Sequence, residues 1–158
     1  MGKRNLILLA AVGFALMFVV GSLYAGSGFP DMIRMENKAY SAHTRAIVDF
    51  NHLKHVETYN VGCGDCHHDG EGKPLSDLKM GDPVQGCIEC HTIPGQMPAN
   101  LKKEMREKKA SREEIAAKEL EYHAESIHAN CVSCHRERNK ASDTKAAPAT
   151  CNACHPKE

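Results

Sequence analysis

The sequence predicts a small domain, mostly helical and irregular with few short strands, whose interior is not an ordinary apolar core. Three observations predict it. One five-residue pattern occurs four times, as Cys63-Gly-Asp-Cys66-His67, Cys87-Ile-Glu-Cys90-His91, Cys131-Val-Ser-Cys134-His135 and Cys151-Asn-Ala-Cys154-His155. Four Phe, four Tyr and no Trp in 158 residues leave little aromatic material to bury. Much of the apolar fraction also sits in the first 25 residues, so the remainder is too polar and too rich in Gly, Pro and Lys to fold alone.

C-x-x-C-H is the attachment pattern of c-type haem. Two thiols three positions apart reach the two vinyl groups on one porphyrin edge and form thioethers. The histidine that follows then lies under the iron as an axial ligand. Four disulfides, two zinc sites of four thiolates, or redox dithiols would also use CxxC pairs. None of them needs a histidine after every second cysteine, and a thioredoxin-like dithiol needs strands that this chain lacks. All eight cysteines are consumed. The reading is four haem c groups, held by Cys63, Cys66, Cys87, Cys90, Cys131, Cys134, Cys151 and Cys154, with His67, His91, His135 and His155 as proximal ligands. The porphyrins then supply the missing apolar interior.

Each iron needs a second axial ligand. Ten histidines less the four in the motifs leave His43, His52, His55, His68, His123 and His128. The methionines lie in the leader, just after it, or in polar stretches with no ligand motif. Bis-histidine ligation is therefore expected. It implies low reduction potentials and closes every iron to substrate.

Along the chain, Lys3 and Arg4 precede an apolar run from Leu6 to Val20 and a small residue at Ala25. Residues 1–25 read as a secretory signal peptide or as a retained N-terminal membrane anchor, with membrane contact through residues 5–25 in the second case. Both readings export the rest of the chain. Residues 26–47 read as an N-terminal loop segment, punctuated by Phe29-Pro30-Asp31. The haem domain is expected over 48–158, where Val48-Asp49-Phe50-Asn51-His52 alternates apolar and polar. His52 and His55, three apart, offer two ligands from one short segment. His68 projects in a different direction from its neighbour His67, so it can serve a second haem held close to the first.

Val48-x-Phe50-x-His52-x-x-His55 followed by Cys63-x-x-Cys66-His67-His68 resembles the opening of the class III cytochromes c, the tetrahaem cytochrome c3 family. The resemblance covers roughly residues 48 to 158 and implies a cytochrome c3-like fold. It also implies that His52 faces His67 at the first haem, His68 faces His91 at the second, and His55 faces His135 at the third. Two departures stand out. Every motif here is C-x-x-C-H, where some members have longer spacing at the second or fourth site. A charged helical insertion also separates His91 from Cys131, at about 98–128.

Within that insertion Gln96 to Glu121 reads as helix, with Pro98 near its start. Ser111-Arg-Glu-Glu114 is a capping box that starts a second helix. Leu120, His123, Ala124, Ile127 and His128 share one face. His123 and His128 thus compete to be the fourth distal ligand. His128 is expected to take it, because it lies three residues before Cys131 in an H-x-x-C-x-x-C-H pattern that recurs in the family's relatives. His123 is then expected to donate a hydrogen bond to a propionate or an axial imidazole. His43, with no partner motif, is expected at the surface or stacked near the first haem.

Formal charge is zero; removing Lys3 and Arg4 from 20 basic residues leaves 18 against 20 acidic ones. Two propionates per haem make the holoprotein acidic. Lys102 to Lys109 is expected to be a solvated helix face, while Arg136, Arg138 and Lys140, directly after His135, could steer an acidic redox partner. Nothing resembles nucleic-acid recognition. The expectation is an exported, periplasmic electron carrier and not an enzyme. By resemblance its partners are hydrogenase, formate dehydrogenase or a membrane redox complex. A subunit of a membrane redox complex or of an extracellular cytochrome filament is the alternative. A haem enzyme would need an open iron, against which the histidine surplus argues.

Overall fold

The structure, a computed structural model, describes residues 30–156; the expected signal or anchor at 1–25 lies outside them. Among the described residues no helix is long and apolar enough to cross a membrane. Two three-residue strands, β1 (Met32–Arg34) and β2 (Asp49–Asn51), pair antiparallel with Ile33 opposite Phe50. β1 falls inside the segment expected to be loop. Single-strand patterning over three residues is too short to read, and only the partner strand makes it a strand.

Six α-helices follow. α1 (His52–Glu57) starts where the Asn51 side chain accepts the Lys54 N–H at 2.9 Å. α2 (Cys87–Cys90) and α6 (Cys151–Cys154) are single turns, as is the 3-10 turn Cys63–Asp65. α3 (Ala99–Glu107) and α4 (Arg112–Glu119) form an antiparallel hairpin joined by Lys109 at φ 59°. The Ser111 capping box is present, with Glu114 N–H bonded to Ser111 Oγ at 3.1 Å and Glu114 Oε2 accepting the Ser111 N–H at 2.7 Å. The hairpin is closed at its base, where Ile93 N–H bonds to Glu121 O at 3.1 Å and His123 N–H bonds to Ile93 O at 2.8 Å.

α5 (His123–Ser142) is the long element. It differs from expectation at both ends. Leu120 is not on it: the chain breaks at Tyr122, and Leu120 caps α4 with 43% of its surface exposed. The helix also runs straight through the third Cys motif instead of stopping before it. No Gly or Pro occurs between His123 and Ser142, so nothing interrupts the backbone ladder. Among the described residues the buried apolar side chains are only Met97 and Tyr122.

Candidate haem-binding centre

Each motif is a helical turn, and the turn does the positioning. The His67 N–H bonds to Cys63 O at 2.8 Å, His91 to Cys87 O at 2.9 Å and His155 to Cys151 O at 2.8 Å. Those i to i+4 bonds fix each imidazole against its first cysteine. In two motifs an intervening residue caps the turn: Asp65 Oδ2 accepts the Gly62 N–H, and Glu89 Oε1 the Gly86 N–H, both at 2.9 Å. The third motif needs no cap because α5 already surrounds it. Gly64 has a separate reason to be small, since a Cβ there would meet Ser76 backbone atoms at 3.0 Å.

All eight thiols are unpaired. Burial, followed by the fields of Cys66, Cys154, Cys87 and Cys134, pushes the Cys131 thiol up to about 11. Sulfurs from all four motifs therefore gather around one region. Asn130 ties two of them together by donating to Cys66 O at 3.2 Å.

The histidines meet in four facing pairs. Ring centroids are 6.2 Å apart for His52 and His67, 6.0 Å for His68 and His91, 6.1 Å for His55 and His135, and 6.3 Å for His128 and His155. An ion with metal–nitrogen bonds of about 2 Å to each ring, plus the inner half of each ring, spans roughly this distance. The residues fit an iron between each pair.

Nδ1 is occupied in most of these rings, which leaves Nε2 for the other side. His55 donates to Asn51 O at 2.8 Å, His68 to Asp69 O at 2.7 Å, His135 to Pro148 O at 2.6 Å and His155 to Ala46 O at 2.6 Å. His91 Nδ1 is bonded to Leu120 O, and His128 Nδ1 lies 3.2 Å from the Gln96 amide. Such outer bonds fix tautomer and ring orientation. Burial first, then the fields of His52 and His68, holds His67 below the ordinary imidazole range, so the neutral, ligating form is favoured.

Of the two competing histidines, His128 is the one that meets His155. His123 is buried at 7% exposure and its Nδ1 is hydrogen-bonded to the Tyr40 hydroxyl at 2.9 Å. Tyr40 in turn stacks on His43 at 5.3 Å, with planes 12° apart. His43 is exposed and stacks on Tyr40, the residue whose hydroxyl meets His123. Burial and the field of His91 hold His123 below its usual range.

Three residues without any motif were missed. Asn139 forms a two-way clamp on residue 147, donating to Ala147 O at 2.8 Å and accepting its N–H at 2.9 Å. That clamp folds the chain back so that Pro148 O reaches His135. Gln96 and Tyr40 were likewise invisible, because their partners lie 32 and 83 residues away.

A small helical and irregular domain with CxxCH turns and facing imidazoles defines a multihaem c-type cytochrome. A family model, the class III cytochrome C family, matches residues 30–155. The chain belongs to the class III cytochromes c, which are electron-transfer proteins with covalently bound c-type haem. Comparison with curated proteins and with solved structures finds no match.

Proposed function

We propose that this chain is an exported carrier of four bis-histidine haems that relays electrons between redox enzymes and membrane or extracellular acceptors. The observation that supports it most directly is the set of four facing imidazole pairs, one per CxxCH motif, at 6.0 to 6.3 Å. In this reading the eight cysteines hold the porphyrins, His67, His91, His135 and His155 are proximal, and His52, His68, His55 and His128 are distal. When bound, the haems supply one-electron chemistry at the iron. The protein's own residues orient and desolvate. Carbonyls at residues 51, 69, 120, 148 and 46 accept hydrogen bonds from the Nδ1–H groups and thereby raise the basicity of Nε2. At His128 the Gln96 amide nitrogen lies 3.2 Å from Nδ1, and an amide turned by 180° would present its oxygen there instead.

With both axial positions taken by protein, no iron is open to substrate, which supports a carrier over an enzyme. The test is to isolate the native protein and measure mass, pyridine haemochrome content and a redox titration. Four covalent haems per chain and fully reversible one-electron steps are expected. Two or three haems, or recovery of free haem after acid–acetone extraction, would overturn the reading.

A further inference from the structure

The α3–α4 hairpin borders an open cleft whose lining contains none of the motif cysteines or histidines. Lys102, Arg106, Ala110, Arg112, Ile115 and Glu119 line it, and its volume is about 590 Å³. Lys102 is taken by Glu119 in an ion pair across the hairpin. Other hairpin cations are also neutralised: Lys103 lies 3.6 Å from Glu107, Lys108 2.6 Å from Glu104 and Lys118 2.6 Å from Glu121. Arg106 and Arg112 are exposed and have no carboxylate partner among the described residues. The segment expected to be only a solvated helix face therefore has an inner side with two uncompensated guanidinium groups.

Guanidinium groups present a planar fork that matches carboxylates. The cleft has room for roughly twenty waters at about 30 Å³ each, far more than one small oxyanion fills. Ala110 and Ile115 give it apolar patches against which the methylene stems of acidic side chains can lie. Those features suit a protein surface better than a lone anion. The cleft is also tied to one haem centre by the chain itself. Glu119 is followed by Leu120, whose carbonyl holds His91 Nδ1, and by Glu121, whose carbonyl holds the Ile93 N–H. A surface gripped at Arg106 and Arg112 is held by the hairpin whose base carries the Leu120 carbonyl, eight residues or about 12 Å of helix from Arg112.

We propose that the α3–α4 cleft is the docking socket for a carboxylate-bearing face of an acidic redox protein, and that its electron enters at the His68–His91 centre. This rests on the relay reading above. The step is outer-sphere: the reduced partner loses one electron, this protein gains it, and no bond or proton moves.

An electrode coated with a carboxylate-terminated monolayer supplies the acidic face, and the intact holoprotein is the sample. At low ionic strength, Arg106→Gln with Arg112→Gln should slow interfacial electron transfer about tenfold. Lys38→Gln with Lys79→Gln, both exposed and outside the hairpin, should stay within about twofold of the parent. The difference should vanish at about 1 M salt, where the Debye length falls to ~3 Å. Arg106→Glu with Arg112→Glu should recover the rate on an ammonium-terminated monolayer, which shows that the variants are folded. An unchanged rate in the cleft variant, or equal losses in both pairs, overturns the socket. So does complete suppression by a few millimolar sulfate at constant ionic strength, which makes the cleft a small-anion site. If the parent protein takes no electrons from the electrode at all, the relay reading fails, and the socket with it.

Discussion

The imidazoles of His55 and His135 face each other within 24° of parallel, whereas the other three facing pairs cross at 77°, 73° and 87°. Phe50, 4.6 Å from the His55 ring, and the Asn51 carbonyl hold the odd one in place. Ring orientation about a ferric iron decides how far its two π-symmetry d orbitals split. Crossed rings leave them close in energy, and parallel rings separate them.

Electron paramagnetic resonance of the oxidised protein should therefore show three strongly anisotropic low-spin signals and one rhombic signal. The rhombic one should disappear in His55→Ala. Four equivalent signals in the parent would show that these ring orientations do not hold once iron is bound.

His128→Ala should leave one centre high-spin and reactive with carbon monoxide. His123→Ala should keep all four low-spin and cost stability through the lost bond to the Tyr40 hydroxyl, about 1–3 kcal/mol. Absorption spectra of the reduced variants under carbon monoxide separate the two, and the reverse outcome would reassign the ligand.

Tyr40→Phe removes the hydroxyl that meets His123 Nδ1 and leaves the ring stacked on His43. A buried polar partner left unpaired costs about 1–3 kcal/mol. The holoprotein should lose that much against guanidinium with its spectrum unchanged. Equal stability would mean that water replaces the hydroxyl.

Gly64→Ala drives a methyl group into Ser76 backbone, where neither side can swing away. The expected cost is about 1–3 kcal/mol, typical of overpacking. Haem stoichiometry at the first motif, read by peptide mass, should fall before the other three. Uniform loss across all four motifs would count against this assignment of the contact.

Asn139→Ala deletes both bonds of the clamp on Ala147, worth roughly 1 kcal/mol each. The Pro148 carbonyl should then drift from His135, and the potential of that centre should rise as its imidazole becomes a poorer donor. Redox titration should show one displaced step and three unmoved ones.

How much was legible follows from the range over which each feature acts. The CxxCH turns could be read directly, because their bonds run within five residues. So could the Ser111 capping box. Three of the facing histidine pairs followed from the family resemblance more than from physics, since His55 and His135, for example, are 80 positions apart. His128 was read from its helix face and its place before Cys131. The strand at 32–34, the break at Tyr122 and the clamp at Asn139 were not legible. Each depends on a partner that only the folded chain supplies. Helical periodicity carried Leu120 onto the wrong element because the pattern cannot see a turn made by two backbone bonds to Ile93.

α5 carries His128 and His135, which face different partner imidazoles, on one uninterrupted helix. Seven residues of helix separate them by about 10 Å along the axis, with nearly two full turns between. One added or deleted residue there would rotate everything beyond it by about 100° and point a ligand away from its partner. The seven-residue interval cannot change by a single position without unmaking two centres at once.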